Sequence, residues 1–361
     1  MQTVTDKFLS RSDQDLPILS KLLSAGQLSG TAEIVGEYEL ALARTFGVRR
    51  AIAVSSGSTA IQAALRAIDA KVGDEILVPA TAPLPSVFPI TANGLVPVAV
   101  DVAEGSVGFD PVDLERKISS RTSAALAVPL WGYPQDLRRV RSVLDAAGIP
   151  LIEDAAHAHG ARSNGKMVGT EGLLGCFSTH DRKLLATGEG GFVLTDDEEI
   201  ADRIQSYTRL GNLRGDESGV NFKINAMAAA VGIARIPLLE GLIRARTENA
   251  QYILREIGSS GSISELDYPQ GAKPNYYNLT VVLTSQDQAT GQLEKISAQG
   301  LAIDQIKYGY NVFYRRNAYK SIAASCPNAE SLMERLVQIP VHPGLEHADL
   351  MRIVEIIRGA I

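Results

Sequence analysis

The feature that most constrains this fold is a repeated alternation of short, continuous apolar runs with amphipathic stretches over the first two-thirds of the chain. Continuous apolar runs are typical of strands that are buried on both faces. The stretches between them, such as 59–68 and 136–148, have helical periodicity. Strands that alternate with helices predict an α/β domain with a mostly parallel sheet. The predicted strands are RAIAVS (50–55), EILVP (75–79), VPVAVD (96–101), SAALAVPL (123–130), PLIED (150–154) and GFVLT (191–195).

The last third of the chain has a different pattern. Residues 225–256 form a long helical segment that we expect to bend at Pro237, because proline cannot donate a backbone hydrogen bond. A strand pattern at 276–283 and a helical pattern at 347–360 follow. We therefore predict a large domain over residues 1–240 and a smaller C-terminal α+β domain over residues 241–361.

Charge and cysteine content narrow the functional class. The chain of 361 residues has a formal charge of -6 and no basic block, which argues against a nucleic-acid partner. Its two cysteines, Cys176 and Cys326, lie far apart and have no metal-binding spacing, so we expect neither a disulfide framework nor a zinc site, and a reducing compartment fits. No signal-like segment and no apolar run of about 18 residues is present. We expect a cytoplasmic protein with no membrane partner.

In open α/β sheets, ligands bind beyond the carboxyl ends of the strands. The sequence SGSTA follows the first strand, and its Gly57 and Ser58 open a helix. Backbone N–H groups and hydroxyls at a helix N-terminus bind phosphate well. The same residues are also typical of an ordinary Ser/Thr helix cap. Neither a P-loop lysine nor the glycine fingerprint of dinucleotide binding follows.

One further strand end has polar residues. Asp154 ends the run PLIED, where its side chain either projects into the crevice or caps a following helix. His157 and His159 form an H-x-H pair, but metal binding would need a third ligand that no nearby cluster offers, so we predict no metal site.

Lys183 lies 29 residues after Asp154, in the stretch HDRKLLATGEGG, whose glycines are also typical of a hairpin. Pyridoxal phosphate needs three groups: a phosphate-binding helix N-terminus such as Gly57 and Ser58 (the phosphate seat), a strand-end aspartate and a lysine on a later loop. Its phosphate takes N–H and hydroxyl donors, its pyridine nitrogen takes a carboxylate, and its aldehyde takes an amine. The order and spacing of the three groups favour that cofactor.

The chain resembles the DegT/StrS family of pyridoxal-phosphate aminotransferases, which have the aspartate-aminotransferase fold (fold type I). The resemblance implies a three-layer sandwich around a mostly parallel central sheet, plus the smaller C-terminal domain. It covers nearly the whole chain. The matching blocks include VGEYELALARTFGVRRAIAVSSGSTAIQAALRAI, IEDAAHAHGARSNGKMVGTEGLLGCFSTHDRKLLATGEGGFVLTDD, GVNFKINAMAAAVGIARI and QIPVHPGL.

The family's site residues can be transferred by position. Lys183 would form the Schiff base with the cofactor and shuttle the proton, and Asp154 would pair with the pyridine nitrogen. The phosphate would be held by Gly57, Ser58 and Ser178. Asn221 matches a family asparagine that reaches the phosphate of the neighbouring subunit, which implies a homodimer with shared active sites.

Some positions depart from the family pattern. Pro83 stands where many members stack an aromatic residue on the cofactor ring. His157 replaces a glutamine, and its imidazole would donate to the cofactor's phenolic oxygen with a charge that depends on pH. His180 replaces a tyrosine and is a candidate substrate contact, while Lys223 replaces a common arginine. Lys183 argues against a subgroup that has histidine there and performs dehydration.

The resemblance implies a two-stage transamination. Glutamate or glutamine would convert the cofactor to pyridoxamine phosphate. A keto-sugar, which the resemblance implies is nucleotide-linked, would then accept the amine. An alternative acceptor is a keto-cyclitol or another non-nucleotide carbocycle. A non-catalytic regulatory homologue is disfavoured, because both Lys183 and Asp154 are retained. The stretch QIKYGYNVFYRR offers contacts to an anionic acceptor but is equally typical of a surface loop; its candidates are Lys307, Tyr308, Tyr310, Arg315 and Arg316.

Overall fold

The computed structural model describes residues 3–215, 218–258 and 261–361. Its strands are β1 (Arg50–Val54), β2 (Glu75–Pro79), β3 (Val96–Val100), β4 (Thr122–Ala127), β5 (Leu151–Asp154), β6 (Arg162–Ser163), β7 (Lys166–Met167), β8 (Leu174–Ser178), β9 (Gly191–Thr195), β10 (Ile263–Glu265), β11 (Leu279–Leu283) and β12 (Leu336–Ile339). Its α-helices are α1 (Asp15–Ala25), α2 (Glu33–Phe46), α3 (Gly57–Ala67), α4 (Leu84–Ala92), α5 (Pro111–Lys117), α6 (Leu137–Ala146), α7 (Glu198–Thr208), α8 (Ala226–Arg235), α9 (Leu239–Ile257), α10 (Gln286–Ala298), α11 (Asp304–Lys307), α12 (Pro327–Met333) and α13 (His347–Ala360).

The central sheet has seven strands in the order β1-β9-β8-β5-β4-β2-β3. The pairs β2/β3, β2/β4, β4/β5 and β5/β8 are parallel, whereas β9 is antiparallel to both of its neighbours. All six strands predicted from the apolar runs are present. Strand β8 was not predicted as a strand. Its Gly175 permits a close backbone approach, since a Cβ there would lie 1.9 Å from the carbonyl oxygen of Gly169.

Both faces of this sheet are buried, which confirms the three-layer architecture. On β1, Ile52 and Val54 face one core, and Ala51 and Ala53 face the other. Helices α3 and α7 pack on the first face, and α2, α5 and α6 pack on the second. The predicted helices at 59–68 and 136–148 correspond to α3 and α6.

The long helical segment is interrupted where proline was expected to bend it. Helix α8 ends at Arg235, the 3-10 turn Ile236–Leu238 follows, and α9 begins at Leu239. By length and composition alone, Ala226–Ile257 would suit a membrane span. However, α8 packs on α1 and α2, and a Cβ on its Gly232 would lie 2.4 Å from the ring of Tyr38. This contact is typical of a core helix.

The C-terminal region has a second sheet of three antiparallel strands in the order β10-β11-β12. Helices α9 and α10 both pack on α13 beside it. The predicted strand at 276–283 and helix at 347–360 correspond to β11 and α13. The domain boundary at residue 240 stays a prediction, because α9 continues through that position without a break.

Candidate active site

A cavity of about 440 Å³ lies at the carboxyl ends of the central strands. The loops after β2, β5 and β8 contribute Pro83, His157 and Arg182 to its wall. The opposite wall comes from the C-terminal region and from the start of the chain, which contributes Asp6. The site is therefore built where the fold class places ligands.

The N-terminus of α3 lies against the end of β8. Ser56 is the N-cap and accepts from the Thr59 N–H, so the sequence contains the ordinary cap as well as the proposed phosphate seat. Helix geometry leaves the N–H groups of Gly57 and Ser58 without intrahelical acceptors. A Cβ on Gly57 would lie only 2.7 Å from the Cβ of Ser178, so the fold brings these predicted phosphate ligands together.

Asp154 is buried at the end of β5, and no helix follows it to be capped. Its carboxylate accepts hydrogen bonds from the Ser86 hydroxyl and, at 3.2 Å, from the Ala156 N–H. Burial raises the pKa of Asp154, while Ser86 and the charge of Lys183 oppose that rise. Ser86, which lies in the first turn of α4, was not identified from the sequence.

Lys183 lies in the loop that joins β8 to β9, close to Asp154. Its N–H donates to the His180 carbonyl at 2.8 Å, and its Nζ lies 4.9 Å from the centroid of the Tyr277 ring, which lines the cavity. Burial lowers the pKa of Lys183 to about 8, although the negative charge of Asp154 acts in the other direction. A substantial fraction of this amine is therefore neutral, and thus nucleophilic, near neutral pH.

His157 is held in one tautomer. Its ring stacks on Tyr277 with centroids 4.2 Å apart, and its Nδ1 accepts from the Trp131 N–H at 3.2 Å. The proton therefore resides on Nε2. Burial lowers the pKa of His157 well below its usual value, so the expectation of a charge that varies near neutral pH was wrong.

The second histidine of the pair has a core position. His159 is fully buried beside Phe177 and Phe192, with ring centroids 5.2 and 6.0 Å away. Within residues 3–215, 218–258 and 261–361, no group of three His, Cys, Asp or Glu side chains is arranged to hold a metal ion. His159 packs as an aromatic core residue.

Of three other predicted site residues, Pro83 lines the cavity, whereas His180 and Asn221 do not. Pro83 is the N-cap of α4 and lines the cavity. His180 lies outside the cavity lining and points its Nε2 toward Glu189 at 3.8 Å. Asn221 is exposed and accepts from the Lys223 ammonium at 2.6 Å, so it does not join the site of its own chain.

The predicted acceptor contacts divide into two groups. Tyr308, Tyr310 and Arg316 line the cavity. Lys307 instead pairs with Asp6 at 2.9 Å. Arg315 forms ion pairs with Glu330 and Glu334, at 2.5 and 3.3 Å, and is directed away from the cavity.

Several cavity residues were missed because they belong to no motif around the lysine. Tyr277 lies beneath the Lys183 amine, and Arg246 donates to the Tyr277 carbonyl at 2.9 Å. No sequence signal marks this wall, because Arg246 is one of several charged residues of α9 and its burial becomes visible only in the fold. The other missed lining residues include Arg182, Gln338 and His342.

In this fold, a lysine beside a strand-end aspartate is the arrangement expected of a fold-type I enzyme. The chain belongs to the DegT/DnrJ/EryC1/StrS aminotransferase family, whose model matches residues 11–358. The protein is therefore an aminotransferase, as the resemblance implied.

Individual relatives match most of the chain. It is 30% identical over 356 residues to the dTDP-3-amino-3,4,6-trideoxy-alpha-D-glucose transaminase of Streptomyces venezuelae, covering 96% of this chain and 92% of that one. It is 29% identical over 306 residues to the L-glutamine:scyllo-inosose aminotransferase of Streptomyces griseus, covering 79% and 72%. The crystal structure of a sugar aminotransferase from Micromonospora echinospora superposes with a TM-score of 0.90 at 28% identity, covering 99% of both chains.

Proposed function

We propose that this enzyme transfers an amino group from glutamate or glutamine to the keto group of a sugar, with pyridoxal phosphate as its cofactor. The observation that carries the proposal is the buried amine of Lys183, which is close enough to Asp154 to be influenced by its charge and lies 4.9 Å from the centroid of the Tyr277 ring in the wall of a cavity of about 440 Å³. A nucleotide-linked acceptor is supported by the likeness to a dTDP-sugar transaminase.

The donor set of this site fits the cofactor. The free N–H groups of Gly57 and Ser58 would hold the phosphate. Ser178 would join them, since its Oγ accepts from the His180 N–H at 3.3 Å and keeps its own hydrogen available. Asp154 would bind the pyridine nitrogen, and the fixed Nε2–H of His157 is suited to the phenolic oxygen. When bound, pyridoxal phosphate acts as an electron sink for carbanions.

Lys183 is the group that moves protons. Its buried amine would take a proton from the amino donor and return it to the acceptor carbon. A pKa of about 8 suits both tasks, because the amine and ammonium forms are both populated near neutral pH. Asp154, buried and hydrogen-bonded to Ser86, would keep its charge opposite the cofactor nitrogen.

A keto-cyclitol is the second candidate acceptor. It is supported by the likeness to the scyllo-inosose aminotransferase and by Pro83 and His157, which depart from the usual pattern of the sugar enzymes. Both acceptors have several hydroxyl groups, and Tyr308 and Arg316 offer polar contacts for either one. A regulatory homologue without activity is not favoured by a site that is intact in its lysine and aspartate.

We also propose a cytoplasmic homodimer in which Asn221 contacts the cofactor phosphate of the partner subunit. Asn221 is exposed and lies apart from its own cavity. Both cysteines are free thiols, as expected in a reducing compartment.

The test is an absorption spectrum of the protein with pyridoxal phosphate, followed by borohydride reduction and peptide mapping. We expect a visible band and a reduced adduct on Lys183, both absent from Lys183→Ala. The exposed Lys320→Ala is the matched control and should retain both. Conversion of the cofactor to its amine form, followed by recovery of the band with a dTDP-linked keto-sugar or with scyllo-inosose, then identifies the acceptor. No band at saturating cofactor would refute the proposal.

A further inference from the structure

The start of the chain forms one edge of the cavity and is fixed there by contacts with the C-terminal region. The Val4 N–H donates to a backbone carbonyl of that region at 3.0 Å, and the Thr5 carbonyl accepts from His342 Nε2 at 2.9 Å. The ring of Phe8 stacks on His342 with centroids 5.4 Å apart. Asp6 lies between these anchored residues and lines the cavity. Its carboxylate therefore has little freedom to turn away from the cavity wall.

Asp6 forms ion pairs with two cations. Its Oδ2 lies 2.9 Å from Lys307 Nζ and 3.4 Å from Arg182 Nη1. Lys307 belongs to α11, whereas Arg182 directly precedes Lys183 in the loop after β8. The side chains of Asp6, Arg182 and Lys307 are 26%, 32% and 35% exposed, so they are accessible to a ligand. The carboxylate thus offsets cations that come from both sides of the cavity.

All three groups are charged at neutral pH. Burial acts to raise the pKa of Asp6, but the hydrogen bond from Lys307 and the charge of Arg182 outweigh it, so the pKa is lowered. Burial acts to lower the pKa of Arg182 and of Lys307, but the contacts of each with Asp6 and Tyr308 raise it. The centroid of the Tyr308 ring lies 5.1 Å from Lys307 Nζ and 6.0 Å from Arg182 Cζ, which also favours the charged forms.

An anionic group of an acceptor would need the same two cations. Arginine and lysine are the side chains that bind phosphate in proteins. Arg316 also lines the cavity, but its guanidinium donates to two backbone carbonyls. A phosphate or diphosphate would therefore compete with Asp6 for Lys307 and Arg182, and the carboxylate would repel its charge. An uncharged acceptor avoids both costs.

We propose that Asp6 is a specificity-determining residue that lowers the affinity of the cavity for an acceptor linked to a nucleoside diphosphate and favours an uncharged cyclic ketone. This inference rests on the proposed transaminase function and bears on the choice between its two acceptors.

Binding of thymidine diphosphate to the cofactor-loaded enzyme tests this role without turnover. Asp6→Asn keeps the size of the side chain but removes its charge. We expect titration calorimetry to give about tenfold tighter binding of thymidine diphosphate by this variant, the effect of one charge-assisted hydrogen bond. The gain should shrink at about 0.5 M salt, because salt screens partly exposed charges. Adding Lys307→Met to Asp6→Asn should cancel most of the gain, since it removes one of the two released cations.

Asp13→Asn is the matched control, because Asp13 is also near the start of the chain but is exposed and lies outside the cavity lining. It removes the same charge and should leave the affinity unchanged. Uncharged thymidine should bind the wild type and Asp6→Asn alike.

Equal or weaker binding of thymidine diphosphate by Asp6→Asn would overturn the proposal. So would tighter binding that persists with Lys307→Met and at high salt, because it would reflect a loosened segment rather than released cations. A failure of the proposed function would be recognised separately, since the absorption band of the cofactor would then be missing from the wild type before any ligand is added.

Discussion

Replacing Gly57 with alanine should weaken phosphate binding at the phosphate seat, although alanine is compatible with the conformation of helix α3 at that position. Gly57 has no positive φ, so alanine is allowed there and has the better helix propensity. However, the new Cβ would lie 2.7 Å from the Cβ of Ser178, about 0.7 Å inside the shortest ordinary contact. The N-terminus of α3 and the end of β8 must therefore separate by a comparable distance.

The consequence for the cofactor follows from hydrogen-bond geometry. A donor that moves by about 0.7 Å from an optimal distance of about 2.9 Å no longer makes a hydrogen bond. Hydrogen bonds to charged groups contribute about 1.5–3 kcal/mol. The loss of one such bond to the phosphate should weaken pyridoxal-phosphate binding about 10- to 100-fold. The same overpacking should lower the free energy of unfolding by about 1–3 kcal/mol.

Equilibrium dialysis and urea unfolding measure the two effects. Gly36→Ala is the matched control: Gly36 lies within α2, and a Cβ there meets no atom within 4 Å. That control should keep normal cofactor affinity and gain about 0.5–1 kcal/mol of stability. If Gly57→Ala binds the cofactor as well as wild type does, the close approach of α3 to Ser178 does not form the phosphate seat.

Three further perturbations test the electrostatics of the structure. Ser86→Ala removes a hydrogen bond that lowers the pKa of Asp154, so the acidic limb of the kcat/KM profile should move to higher pH. The rate of cofactor attachment should rise between about pH 7 and 9 and then level off, because the neutral Lys183 amine, whose pKa is about 8, is the nucleophile. Asp15→Ala leaves the buried Arg235 without its carboxylate and should lower the free energy of unfolding in urea by about 2–4 kcal/mol.

Most of the central sheet could be predicted because its strands are buried on both faces, which produces continuous apolar runs. Strand β8 has the sequence LGCFS, and its small residues resemble a loop. Glycine is required at position 175 because a Cβ there would lie 1.9 Å from the carbonyl oxygen of Gly169, in the loop that precedes β8. A requirement that arises from tertiary contact leaves no periodic signal, so propensity alone could not identify this strand.

The lysine and the aspartate could be predicted for a related reason. Strands β5 and β8 are parallel neighbours in which Asp154 pairs with Cys176, so the next loop necessarily starts beside the aspartate. Lys183 lies in that loop. The spacing of 29 residues is thus made up of the connection from β5 to β8, strand β8 itself and the first residues of the loop that follows it.

The wall that faces the substrate has no comparable regularity. Arg246 comes from α9, Tyr277 precedes β11, and Gln338 lies on β12. Strands β11 and β12 pair in the C-terminal sheet, and Arg246 of α9 reaches the Tyr277 carbonyl, although these residues are far apart along the chain. Each of the three residues lies in an otherwise ordinary stretch of sequence. The reaction type is therefore encoded in one local block around Lys183. The residues of the wall that faces the substrate become recognisable only when the fold brings them together.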